Sequence, residues 1–155
     1  MIPAKIKNFL DKNKIKYDVL VHRTVYTAYD MAQTLKKKLN EVVKALVVKT
    51  DKGHAIVLLP ASHQVDFKAL KKAIGAKKVE IDKENVMTKL FKVKLGAISA
   101  MHGPLHKLPV YVDKAVTKTQ KVIAQAGSFE ESLHMKAKDL VKAVEGKLAS
   151  FAKKK

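Results

Sequence analysis

The chain contains no cysteine and no tryptophan, and Arg23 is its sole arginine. Without cysteine there is no disulfide framework, no thiolate metal site and no cysteine nucleophile. No run of about 18 apolar residues occurs, which excludes a membrane-spanning helix. The first ten residues carry Lys5 and Lys7 inside an amphipathic pattern rather than the apolar stretch of a signal peptide, so a cytoplasmic protein is expected. Aromatics are scarce, at 6%, and do not interleave with the basic residues, so no stacking platform for single-stranded nucleic acid is visible. The sequence also lacks a nucleophile elbow, a phosphate-binding loop and a dinucleotide fingerprint. Glu130 and Glu131 are adjacent and would point to opposite faces of a strand, unlike the paired carboxylates of a glycosidase.

Lysine is what the chain has in abundance. Thirty-two basic residues against fourteen acidic ones give a net charge of +18 over 155 residues, and 31 of the basic residues are lysines. Such a charge suits a polyanionic partner. Lysine is a point charge that holds phosphates, whereas bidentate reading of bases favours arginine. Salt-sensitive binding to a nucleic-acid backbone is therefore expected, with a merely soluble basic surface as the alternative.

Apolar spacing divides the chain into short elements. Ile2, Ile6, Phe9 and Leu10 predict a helix over 2–13, and residues 17–22 a strand. Thr27 to Asp30 resembles a capping box opening a helix that runs to Leu39. Residues 41–50 read as a buried strand, 51–53 as a turn and 54–59 as the returning strand. Asp66 is placed to cap a helix that Gly75 stops, a short strand follows near 79–81, and Asp82 is placed to cap another helix bearing Val86, Met87 and Leu90. Residues 93–108 read as irregular because of Gly96, Gly103, Pro104 and Pro109. Strands over 109–113, 121–126 and 130–135 precede a closing helix carrying Leu140, Val144, Leu148 and Phe151. The pattern predicts one mixed α/β domain over residues 1–152, with partly antiparallel pairing and a frayed basic tail at 153–155.

Among six histidines, His102 and His106 are four apart, but Gly103 and Pro104 between them argue against a helix, and no metal site is expected. Lys44 stands out within Val42-Val43-Lys44-Ala45-Leu46-Val47-Val48. A lysine in a buried strand is costly unless its ammonium reaches water or an anion. It either snorkels at a strand edge or enters a polar pocket, where it could hold a phosphate or a polarised carbonyl.

The order of these segments resembles the YbaK-type aminoacyl-tRNA deacylase family, which includes the editing domain inserted in bacterial prolyl-tRNA synthetases. The carrying residues are Ile15-Lys16-Tyr17, His22, Thr27-Ala28, Val43 to Val48, Val65 to Leu70, Ile74-Gly75, Gly96-Ala97-Ile98-Ser99, Pro109 to Asp113, Ala126-Gly127 and Asp139-Leu140. The resemblance implies a mixed, strongly curved, barrel-like sheet surrounded by helices. It implies hydrolysis of the ester of a mischarged tRNA bearing a small amino acid, in trans, with no cofactor, no metal and no protein nucleophile. Lys44 takes the position of the family's functional lysine. His22, Gly96, Ala97, Ser99, Ala100 and Gln125 fall at substrate-binding positions, and an aminoacyl-tRNA synthetase is an implied second partner.

The chain departs from the family in two places. The family loop usually reads Gly-x-x-Ser/Thr-Pro-Phe-Gly, and here Ala100, Met101 and His102 replace its last three residues. Ala100 in place of proline frees φ and restores an N–H. Many members carry serine where this chain has Gln125, and the larger amide is expected to reshape the pocket. The rival expectations are a catalytically silent tRNA- or synthetase-binding module of the same fold, and a basic domain with an unrelated small ligand.

Overall fold

The structure is a computed structural model and describes residues 2–81, 89 and 98–154. The expected helix after Asp82 lies outside the described residues. The chain runs α1 (Ala4–Lys12), β1 (Asp18–Val21), α2 (Ala28–Thr34), a 3-10 turn (Leu39–Glu41), β2 (Val42–Thr50), β3 (Gly53–Pro60), β4 (His63–Val65), α3 (Phe67–Ile74) and β5 (Val79–Ile81). After residue 97 come α4 (His102–Leu105), β6 (Val110–Asp113), a 3-10 turn (Lys114–Lys118), β7 (Lys121–Gln125), β8 (Glu131–Lys136), α5 (Ala137–Ala143), β9 (Lys147–Ala149) and β10 (Ala152–Lys154).

The caps read from the sequence form. Thr27 Oγ1 accepts from the Asp30 N–H at 3.0 Å, and the Asp66 carboxylate accepts from the Lys68 and Ala69 N–H groups at 3.1 and 3.2 Å. Gly75 ends α3 in the left-handed region at φ 75°, which glycine adopts without strain. β2 and β3 make the expected hairpin, with Thr50 opposite Gly53.

Four expectations are corrected. α2 stops at Thr34 rather than Leu39, because Lys36 turns left-handed at φ 55° and the Lys37 N–H closes on the Ala32 carbonyl at 2.9 Å. The closing helix ends at Ala143, where Glu145 turns at φ 51° and the Gly146 N–H bonds the Val141 carbonyl at 2.9 Å. Beyond it, Leu148 and the expected frayed end are strands: β9 lies beside β6, and Ala152 to Lys154 pair with Val65 to His63. Residues 102–105 are helical despite Gly103 and Pro104. Pro104 sits within the first turn, where its missing N–H has no helical partner to lose.

The main sheet is mixed and curved without closing. Its order is β1-β8-β7-β2-β3-β6-β9, with β2–β7, β3–β6 and β6–β9 parallel. Period-two alternation sorts its residues between two faces. Val43, Val47, Ile56, Leu58, Val110 and Val112 pack with Ile6 and Leu10 of α1 and Leu140 of α5. On the opposite face, Val42 and Ile123 pack with Met31 and Ala32 of α2, while Val48, Val57 and Leu59 pack with Leu70 of α3 and Phe151. Each fully buried Val, Leu or Ile contributes about 1.5–3 kcal/mol, so these two layers hold the sheet rigid beneath the site.

One irregularity positions that site. β2 pairs with β3 along one edge. Its other edge is shared: Val42 and Val43 pair with β7, and Val48 to Thr50 pair with β5. Among the described residues, no strand pairs with residues 44–47 on that edge.

Candidate active site

Strand registers bring three of the sequence-predicted residues into one row. Leu20 of β1 faces Ser132 of β8, Ser132 faces Gln125 of β7, and Val43 of β2 faces Ala124 of β7. Lys44 therefore stands level with Gln125, on the same face as Ser132. It lies between Val42, which packs under α2, and Leu46, which packs under α3. His22 extends β1 on that face: its N–H bonds the Glu130 carbonyl at 2.9 Å and its Nε2 lies 2.7 Å from Ser132 Oγ. Its Nδ1 lies 2.7 Å from the Arg23 carbonyl, an acceptor only, so Nδ1 carries the proton. In the neutral ring, Nε2 then accepts from the Ser132 hydroxyl, whose oxygen also lies 3.4 Å from Met31 Sδ.

Gln125 is turned back on its own turn. Its Oε1 accepts from the N–H groups of Ala126, Gly127 and Ser128 at 2.7, 3.1 and 3.2 Å. Gly127 has φ 82°, and a Cβ there would sit 3.1 Å from both Ile6 Cδ1 and Pro3 Cγ, so the turn requires glycine.

Ser99 and Ala100 are not in the row. Ser99 is fully buried, its Oγ accepts from the Met101 N–H at 3.2 Å, and its own N–H donates to His102 Nδ1 at 3.0 Å. Ala100 and Met101 pack in the core beneath α1 and α5. Gly96 and Ala97 lie outside the described residues. His102 is 4% exposed, and accepting an amide proton requires its Nδ1 to be unprotonated. Burial first, then His106, whose ring centroid is 5.9 Å away, push its pKa down to about 4, against a smaller opposing effect of the Ser99 backbone.

Sequence reasoning missed Ser132 and His63. His63, on β4, has Nδ1 2.8 Å from Ser62 Oγ. Its pKa is lowered by burial and by the charges of Lys154, Lys118 and Lys44, against the raising influence of Asp113. Three lysines from separate elements thus act on one point next to the row. Nothing local in the sequence signals this, because β4 pairs with β10, about 90 residues further along the chain.

Asp113 is buried and committed to the fold. Its Oδ1 accepts from the Phe151 and Ala152 N–H groups at 2.8 and 2.9 Å, and its Oδ2 from that of Ala115 at 2.9 Å. A groove of about 940 Å³ lies elsewhere, lined by Phe9, Ile15, Leu108, Lys142 and Lys147, and touches no residue of the row. Among the described residues, no three histidines or carboxylates gather closely enough to hold a metal ion, and no helix is long and apolar enough to cross a membrane.

Residues 22–143 match the aminoacyl-tRNA editing domain, and the chain belongs to that family. The prolyl-tRNA editing protein ProX of Acetoanaerobium sticklandii is 26% identical over 147 residues, covering 92% of this chain and 90% of that protein. The proline–tRNA ligase of Staphylococcus saprophyticus is 26% identical over 113 residues, which make up 19% of the ligase. A solved structure described as a candidate trans-editing enzyme for prolyl-tRNA synthetase superposes with a TM-score of 0.85 at 18% identity, covering 99% of each chain. A second, of a hypothetical protein, gives 0.87 at 20% identity, covering 96% of this chain and 99% of that one.

Proposed function

We propose that this protein is a trans-acting aminoacyl-tRNA deacylase that hydrolyses the ester of a tRNA mischarged with a small amino acid. The observation that carries the reading is the register that sets Lys44 level with Gln125, on the face where His22 meets Ser132. A fixed ammonium beside the ester favours the negative charge that develops on the carbonyl oxygen as water adds. The bond from the carbonyl carbon to the ribose oxygen then breaks. That oxygen ends with the proton that water gives up, releasing free amino acid and tRNA. No covalent adduct with the protein is required. The lysine-rich surface holds the tRNA backbone without reading its sequence.

The test is deacylation of a panel of mischarged tRNAs by the wild type and by Lys44→Ala. One species is expected to lose its ester, at a rate about 10²–10³-fold lower in the variant, with the thermal transition preserved. A Lys44→Ala variant that keeps full activity sinks the assignment.

The hydrogen bond from the Ser99 N–H to His102 favours a second reading. A main-chain donor at a substrate-binding position is already used within the protein, as in a silent module that binds tRNA or a synthetase. That reading predicts salt-sensitive tRNA binding with no turnover of any mischarged species.

A further inference from the structure

We infer that Tyr26 and Phe129 form a stacking platform for the unpaired bases at the 3′ end of the tRNA that the proposed function takes as substrate. The two rings come from segments far apart in sequence, and their centroids lie 4.9 Å apart at an interplanar angle of 58°. Tyr26 is 61% exposed although it touches another aromatic ring, and Tyr29, three residues on, is 57% exposed. A single exposed tyrosine is unremarkable. Here the exposed aromatics have a specific setting.

The Val25 N–H bonds the Phe129 carbonyl at 2.9 Å, and the His22 N–H bonds that of Glu130 at 2.9 Å, so residues 22–25 prolong the β1–β8 ladder. The aromatic pair stands at the end of that prolonged ladder, next to the contact between His22 and Ser132. Lys44 is three strands away, roughly 14 Å across the sheet at ordinary strand spacing, and the pair is displaced further along the strands, a span that a short single-stranded end bridges. Arg23, the sole guanidinium of the chain, is exposed in the same segment and matches a phosphate in charge. Every base has a π-face, so aromatic rings beside a cation hold single strands without regard to sequence. Bases on the rings would leave the terminal ribose and its ester over the row that ends at Lys44.

The test measures binding of uncharged tRNA at fixed salt, intact or trimmed of its unpaired 3′ nucleotides, by wild type, Tyr26→Ala and Tyr26→Phe. Tyr26→Ala is expected to weaken intact tRNA about 5- to 100-fold and to leave trimmed tRNA unchanged, with Tyr26→Phe close to wild type. Equal binding of intact tRNA by wild type and Tyr26→Ala overturns the inference. So does an equal loss on intact and trimmed tRNA, a wild type that binds no tRNA at low salt, or a dimer in sedimentation that Tyr26→Ala dissolves. Binding does not depend on turnover, so a wild type that binds through Tyr26 and hydrolyses nothing counts against the proposed reaction and leaves the platform standing.

Discussion

His102 ties acid stability to the 98–102 segment in a measurable way. The folded protein keeps this ring neutral down to a pKa of about 4, because the ring is buried and lies beside His106. The unfolded chain takes up the proton near 6.5. Between these values the unfolded state binds more protons, so the contribution of His102 is complete above pH 6.5, falls with pH and is gone near pH 4. The difference corresponds to about 3 kcal/mol, or roughly 6–12 °C in melting temperature for a chain of this size. Burial lowers the pKa values of His63, His106 and His134 as well, and these act in the same direction. The His102 share is isolated with His102→Asn, whose Oδ1 can still accept the Ser99 N–H but does not titrate. Urea unfolding of both proteins from pH 7.5 to 4 is expected to show the wild type losing about 3 kcal/mol more than the variant, whatever the fixed cost of the substitution. Parallel pH profiles would refute the claim that a neutral His102 holds this segment.

Three substitutions test the frame around the site. Lys36→Gly removes a left-handed lysine at φ 55° and is expected to stabilise the protein by about 0.5–1 kcal/mol, read as a higher melting temperature. Gly146→Ala places a Cβ 2.5 Å from Val112 Cγ2 inside the core, with an expected cost of about 1–3 kcal/mol in urea unfolding. Asp113→Ala leaves three N–H groups without their acceptor and releases β10 from β6. A loss of about 2–4 kcal/mol is expected, together with faster amide exchange at Phe151 and Ala152.

The parts of the fold that rest on local chemistry were legible in the sequence. Thr27 and Asp66 cap because a short oxygen-bearing side chain meets free N–H groups, and Lys44 stands out because it breaks an apolar run. The helix ends that went unseen have a common cause. Lys36, Lys107 and Glu145 take positive φ where glycine is usual, so nothing in the residue type marks the stop. α4 was hidden because Gly103 reads as a breaker. It is needed there for close approach, since a Cβ would lie 2.3 Å from Val110 Cγ2. The row at the site depends on which strands pair and in what register, and the partners of Ser132 lie 110 residues away at His22 and 101 away at Met31. Pairing over such separations follows from the assembled sheet, not from spacing along the chain.

The two departures from the family pattern do the same physical thing. His102, in place of a glycine, brings a ring nitrogen that consumes the Ser99 N–H. Gln125, where serine is common, brings a carbonyl that consumes three N–H groups of its own turn, so the larger side chain folds back instead of simply filling the pocket. Each change converts main-chain donors that could face a ligand into donors that hold the protein together. Under the proposed reaction, these donors do not serve the ester, and its stabilisation draws on side-chain charge. Lys44 is the cation level with Gln125 in the row, and its field reaches the neighbouring His63. A deacylase built this way should depend more steeply on its lysine than a relative whose loop amides are turned towards substrate. If instead the loss of those donors is decisive, the same geometry keeps the tRNA end bound without cleaving it.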